Sequence, residues 1–175
     1  LVANSGGPPE GRAVDTTDET WDRAVQMALS FFIRMSREAV PHMRKQSWGR
    51  IVNILASTVY QPIDNLATSG VTRMGAVAYA KSLADEVGRD NILVNNIAPG
   101  FLMTDRMRHI FETRSQETGQ ELDSVLQGRA SSIPVGRFGR PEELGDLVAF
   151  LSSDKNSYTT GTTILVDGGA VRSVM

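Results

Sequence analysis

The chain alternates between short runs that are apolar at nearly every position and longer runs whose apolar residues recur every three or four. Leu1 to Asn4 reads as the end of a buried strand, and Gly6, Gly7, Pro8 and Pro9 stop it and open a loop. Thr16 stands three residues before Glu19, the spacing of a capping box. Trp21, Val25, Leu29, Phe32, Ile33 and Ser36 then fall near one face of a helical period, predicting a helix that runs to the Val40–Pro41 region. After Gly49, the short branched run Ile51 to Leu55 reads as an interior strand. Pro62 to Ser69 is irregular. Gly75 to Val87 is helical by composition, with a start near Asn65 to Ser69. Ile92 to Ile97 is a second branched strand, ended by Pro99 and Gly100. Thr104 to Thr113 and Glu121 to Ala130 predict two helices separated by a polar run around Gly119. Pro141 suits a first helical position, with Glu142 and Glu143 in the first turn of a helix reaching about Leu151. Ser157 to Gly161 turns the chain into a last strand, Thr162 to Val166.

Strand, helix, strand, helix, strand, helices, strand is the order of parallel β/α units, so the expected fold class is α/β with a mainly parallel sheet. The runs IVNIL and ILVNNI are largely apolar on both faces and need helices on both sides. One domain over residues 1–175 is expected, with residues 101–140 as a helical lid on the substrate side. Leu1 to Asn4 would lie at a sheet edge, a sticky template that another chain or segment must cover, which predicts a homo-oligomer. With 18 basic and 20 acidic residues the net charge is −2, which argues against a nucleic-acid partner. There is no cysteine, so thiol catalysis is excluded, and no HExxH arrangement marks a metal site. No apolar run reaches the length of a membrane span and no signal peptide is visible, so a cytoplasmic protein is expected.

The segment NILASTVYQPIDNLATSGVTRMGAVAYAK, from Asn53 to Lys81, followed by NNIAPGFLMTDR, from Asn95 to Arg106, resembles the distal part of a short-chain dehydrogenase/reductase of the 3-oxoacyl-acyl-carrier-protein-reductase type. Ala3-Asn4-Ser5-Gly6 is similar to that family's Asn-Asn-Ala-Gly turn, matching it at Asn4 and Gly6. Ile133-Pro134, Arg137-Phe138-Gly139, Pro141-Glu142-Glu143 and Val166-Asp167-Gly168-Gly169 are similar to its tail. The order and spacing of these pieces carry the resemblance. It implies a Rossmann-like three-layer fold holding the family's strands four to seven, a C-terminal part only. It also implies NAD or NADP as cofactor, met by Asn4, Gly6, Arg73, Pro99, Gly100 and Thr104. No GxGxxG turn follows a strand, so we expect these residues alone not to bind the dinucleotide.

The family's tyrosine and lysine, counted back from Leu83-Ala84, fall at Ser69 and Arg73. A serine lacks the acidity of a phenol, and an arginine keeps the charge but does not titrate as an ammonium does. Arg73 would still bind a phosphate, a carboxylate or a ribose hydroxyl, or stand as a solvated helix charge; Ser69 would alternatively cap the helix that follows. The family's serine falls at Ala56, beside Ser57 and two residues before Thr58, and its helix asparagine falls at Ala28. Thr58 shares the nominal strand face of Ala56. Tyr60 reads as packing. Thr104 would hold a cofactor carboxamide and also cap a helix. The resemblance therefore points to a divergent, truncated oxidoreductase acting on a carbonyl or an alcohol. Ser57, Ser69 and Arg73 are its candidate catalytic residues, and its redox activity is in question. Two alternatives accompany it. One is hydrolysis of a small ester by Ser57 or Ser69, with oxyanion donors near Gly6 or Gly100 and only His42 and His109 as imidazoles. The other is a non-catalytic oligomerising protein, with Leu147, Phe150, Leu151 and Ile164 on its surface or in its core.

Overall fold

The computed structural model describes residues 1–174. Strands β1 (Val2–Asn4), β2 (Gly49–Ile54), β3 (Ile92–Pro99) and β4 (Thr163–Val166) form one sheet in the order β1-β2-β3-β4. Every neighbouring pair is parallel, with Asn4 opposite Ile54, Ile54 opposite Ile97 and Pro99 opposite Val166. Helices α1 (Asp18–Val25) and α2 (Phe31–Lys45) join β1 to β2 through a wide π turn at Gln26–Ser30. Helix α3 (Ala67–Val87) joins β2 to β3. Helices α4 (Asp105–Thr118), α5 (Leu122–Ser131) and α6 (Pro141–Leu151) lie between β3 and β4.

Alternate residues of the two central strands feed opposite faces, as the pleat requires. Ile51, Ile92 and Val94 pack with Val40 of α2 and Ala80, Leu83, Ala84 and Val87 of α3. Ala3 and Leu55 continue this layer with Phe32 and Ala76. Val52, Ile54 and Ile97 face the other way, onto Leu144, Leu147, Val148 and Leu151 of α6. The result is an α/β three-layer arrangement, helices on both sides of a parallel sheet, which explains why neither central strand has a polar stripe. Ile164 and Leu151 join this second core layer, and Leu147 packs against it, whereas Phe150 is exposed.

Several expected boundaries move. The helix does not end at Val40–Pro41 but continues to Lys45 with Pro41 inside it. Pro41 is solvent-exposed, where loss of one hydrogen bond is tolerable, and the added turn brings Met43 against the core. The cap is Thr17 rather than Thr16: Thr17 Oγ1 accepts from Thr20 N at 3.3 Å, while Thr16 Oγ1 donates back to Arg12 O at 2.5 Å. Strand β3 runs two residues past Ile97, because β4 pairs with it as far as Pro99. Helix α4 extends past Thr113 and stops at Gly119, whose φ of 67° suits glycine in a left-handed cap. Among the described residues no helix is long and apolar enough to cross a membrane.

Candidate active site

The carboxyl ends of four parallel strands open on one crevice. Asn4, Ser5 and Gly6 lead out of β1, Ala56 to Thr58 out of β2, Pro99 and Gly100 out of β3, and Asp167 out of β4. Helix α3 begins beside this rim, so Ser69 and Arg73, one turn apart, lie on the same side of the helix.

Arg73 is the most constrained side chain here. It is only 4% exposed. Its Nη1 donates to Ile54 O at 3.1 Å and its Nη2 to Gly6 O at 3.5 Å, a long contact, while Nε is buried with no partner. Burial first, and then the neighbouring Arg106 guanidinium, pull its pKa down to about 10, which leaves it charged at neutral pH. Arg50 makes an informative contrast. It is equally buried at the other end of β2, and its Nε and Nη1 reach three carbonyls, those of Asn156, Gly49 and Asn91. Arg50 is a satisfied structural cation; Arg73 has donor capacity to spare.

Ser69 Oγ lies 3.2 Å from Thr58 Oγ1, and both residues are buried. The structure thus brings Thr58 to Ser69. The Ser57 hydroxyl makes no such contact among the described residues, because Ser57 begins the tight turn Ser57–Val59, where its carbonyl accepts from Tyr60 N. Ser69 lies inside α3 and does not cap it: the helix begins at Ala67. Tyr60 is turned away from this pair, its hydroxyl donating to Thr163 O at 2.5 Å. Ala28 is buried in the π turn.

On the β3 side, Gly100 N donates to Val166 O at 2.9 Å. A Cβ at Gly100 would lie 2.5 Å from Asp167 Cβ and 2.9 Å from Asp167 Cα, so only glycine lets the two strand ends approach. Asp167 in turn accepts from Gly169 N at 2.8 Å and Val171 N at 2.6 Å. Thr104 Oγ1 accepts from Met107 N at 3.2 Å and caps α4. Beside the crevice, a cavity of about 1000 Å³ is lined by the segment from Thr58 to Ala67, by Arg12 and Ala13, and by Gly70, Val71 and Met74 of α3. None of its wall comes from residues 101–140. Ser5, which the order of the strands also places at this crevice, has a buried hydroxyl without a partner; Arg106, which the sequence reading gave no role, reaches across from α4 to Gly7.

A crevice at the carboxyl rim of such a sheet, entered by a buried cation from the following helix, is that of the short-chain dehydrogenase/reductase fold. The family model described as enoyl-(acyl carrier protein) reductase matches residues 1–171, and the chain belongs to that family. The chain is 33% identical over 171 residues to the 3-oxoacyl-[acyl-carrier-protein] reductase FabG of Thermotoga maritima, covering 98% of this chain and 65% of that protein. The L-sorbose reductase of Gluconobacter frateurii, complexed with NADPH and L-sorbose, superposes with a TM-score of 0.94 at 30% identity, over 99% of this chain and 66% of that one. An NADPH-bound short-chain oxidoreductase of Pseudomonas aeruginosa PAO1, described as containing an atypical catalytic centre, superposes with a TM-score of 0.84 at 30% identity, over 98% of this chain and 65% of that one. The chain spans 58–66% of the length of these and similar curated relatives.

Two expectations are corrected here. The resemblance was expected to hold for a C-terminal part only, resting on scattered motifs. The family match and the superpositions instead run through almost the full chain, because the segments between the motifs keep the same framework. The expectation that these residues alone bind no dinucleotide is overturned by the NADPH held in structures that superpose on 98–99% of the chain. The donors present fit such a group. Arg73 Nε and Ser5 Oγ are buried without partners at the rim, as donors awaiting a polar ligand would be.

Proposed function

We propose that the chain carries the carbonyl side of an NADPH-dependent reductase in which Arg73 and the Ser69–Thr58 pair replace the customary tyrosine and lysine. The observation that carries this reading is the incompletely partnered, buried Arg73 guanidinium beside Gly6 and the end of β2. NADPH, when bound, supplies a hydride to the carbonyl carbon. Arg73 would place its charge beside the nicotinamide ribose and offset negative charge growing on the carbonyl oxygen. The Ser69 and Thr58 hydroxyls would orient that oxygen and pass it a proton drawn from solvent, since neither is acidic enough to be the proton's source. Asn4, Gly6, Pro99, Gly100 and Thr104 would line the cofactor side. Residues 101–140 would act as a lid, hinged where Met103 N donates to Gly139 O at 2.8 Å and closed by the Phe111–Phe138 edge contact. A homo-oligomer would cover the open edge of β1 and the exposed Phe150.

Titration with NADPH and NADH, followed by nicotinamide fluorescence, tests the reading. Saturable NADPH binding that weakens in Arg73→Met supports it. A folded sample with no saturable binding of either nucleotide refutes it. Ester hydrolysis has less in its favour. Gly100 N, a proposed oxyanion donor, is engaged by Val166 O, and neither imidazole pairs with Ser57 or Ser69 among the described residues.

A further inference from the structure

Arg73 and Arg106 approach one turn from two elements. Arg73 comes from inside the molecule, and its Nη2 reaches Gly6 O. Arg106 comes from the first turn of α4 and lies over Gly7: a Cβ built there would stand 2.9 Å from Arg106 Nη1 and 3.2 Å from Nη2. The two guanidiniums are close enough for the charge of Arg106 to disfavour that of Arg73. Among the described residues no carboxylate pairs with either, although Arg12, Arg44, Arg137 and Arg140 each have an acidic partner. A buried cation facing a second cation, with no acid between them among the described residues, is unfavourable. An anion between them would reverse the sign of that interaction.

We infer that Arg73 and Arg106 together hold an anionic oxygen group, a carboxylate or a phosphate, of a ligand lying over the Gly6–Gly7 turn. This deepens the reductase reading and rests on it for the use of the crevice. Planar guanidinium forks match carboxylate and phosphate oxygens through paired hydrogen bonds. Arg73 Nε is a buried donor without a partner, and the Ser5 hydroxyl, one residue before Gly6, is another. The anion has two sources. It is the carboxylate of an oxo-acid substrate, which would set the substrate class apart from neutral ketones, or a phosphate of the dinucleotide.

Titration calorimetry at constant ionic strength, with sodium phosphate and with sodium malonate, tests this on the wild-type protein, Arg106→Gln and Arg106→Lys. Loss of charge-assisted contacts should weaken anion binding by about 10- to 100-fold in Arg106→Gln, with Arg106→Lys between it and wild type. Arg106 is solvent-exposed, so both variants should keep the wild-type melting temperature. Repeating the titration with saturating NADPH separates the sources. Anion binding abolished by NADPH assigns the site to a cofactor phosphate; binding that persists assigns it to the substrate; either supports the inference. Affinity for both anions within twofold of wild type in Arg106→Gln, or no binding to the wild type at tens of millimolar anion, overturns it. NADPH affinity is measured separately. NADPH binding without anion binding removes this inference and spares the reductase reading, and anion binding without NADPH binding does the reverse.

Discussion

Replacing Arg73 with methionine separates a ligand-binding cation from a structural strut. Methionine keeps much of the aliphatic volume and removes the charge. Two stability terms then oppose each other. The drop in the Arg73 pKa from the ordinary arginine value to about 10 corresponds to roughly 3 kcal/mol of penalty against the charged form, which the variant no longer bears. Against this, the bond to Ile54 O at 3.1 Å is lost, worth about 1.5–3 kcal/mol for a charged donor, and the 3.5 Å contact to Gly6 O adds little. The two nearly cancel, so the unfolding free energy should change by less than about 1.5 kcal/mol. For a chain of this size that is a shift in Tm of under about 6 °C. Ligand affinity has no such compensation, and NADPH should bind about 10- to 100-fold more weakly. Urea unfolding followed by the fluorescence of Trp21 and Trp48 gives the first quantity, and nucleotide titration of the folded variant the second. A loss of more than about 3 kcal/mol with unchanged NADPH affinity would refute the reasoning and make Arg73 a strut like Arg50.

Gly100→Ala should destabilise by about 1–3 kcal/mol, read by urea unfolding, because the new Cβ collides with the Asp167 backbone; a neutral result would mean that the β3 and β4 ends part freely. Phe32→Ala, at a fully buried position between α3 and the sheet, should cost about 3–5 kcal/mol, and a cost below about 1 kcal/mol would contradict the packing described. Glu143 is held near pKa 2, against its ordinary 4.5, by Arg137 and the Arg140 backbone N–H. Its folded pKa is depressed, so its contribution is present above 4.5 and lost as pH falls from 4.5 towards 2. Glu143→Gln should therefore flatten the acid limb of a melting-temperature profile in that window, and an unchanged limb would count against the Arg137 pairing.

The alternation of both-face-apolar strands with helical periods made the parallel sheet legible, because burial on two sides erases the polar stripe of IVNIL and ILVNNI. Pro141 with two following glutamates likewise marked α6. What escaped depends on contacts between distant segments. Nothing in the order of residues shows that Pro41 faces solvent, or that Met43 is needed against the core. Ser57 and Thr58 are chemically similar, and only the tight turn at Ser57–Val59 decides which hydroxyl meets Ser69. Arg106 drew no role from the sequence, because its nearness to Gly7 spans about a hundred residues of chain. The count from Leu83-Ala84 back to Arg73 runs inside one uninterrupted helix, α3, so it crosses no loop.

The π turn at Gln26–Ser30 has one more effect. The inward residues Ala24, Ala28, Phe32, Ser36 and Val40 recur at a strict interval of four. In an unbroken α-helix that interval rotates each successive side chain by about 40°, so the row would spiral off the sheet. The looser winding at its middle absorbs part of this rotation and keeps the row aimed inward. Forcing this turn into regular α winding with its length unchanged would rotate everything downstream, turning Phe32 and Val40 off the sheet and unseating the wall on which Ala76 and Ala80 rest.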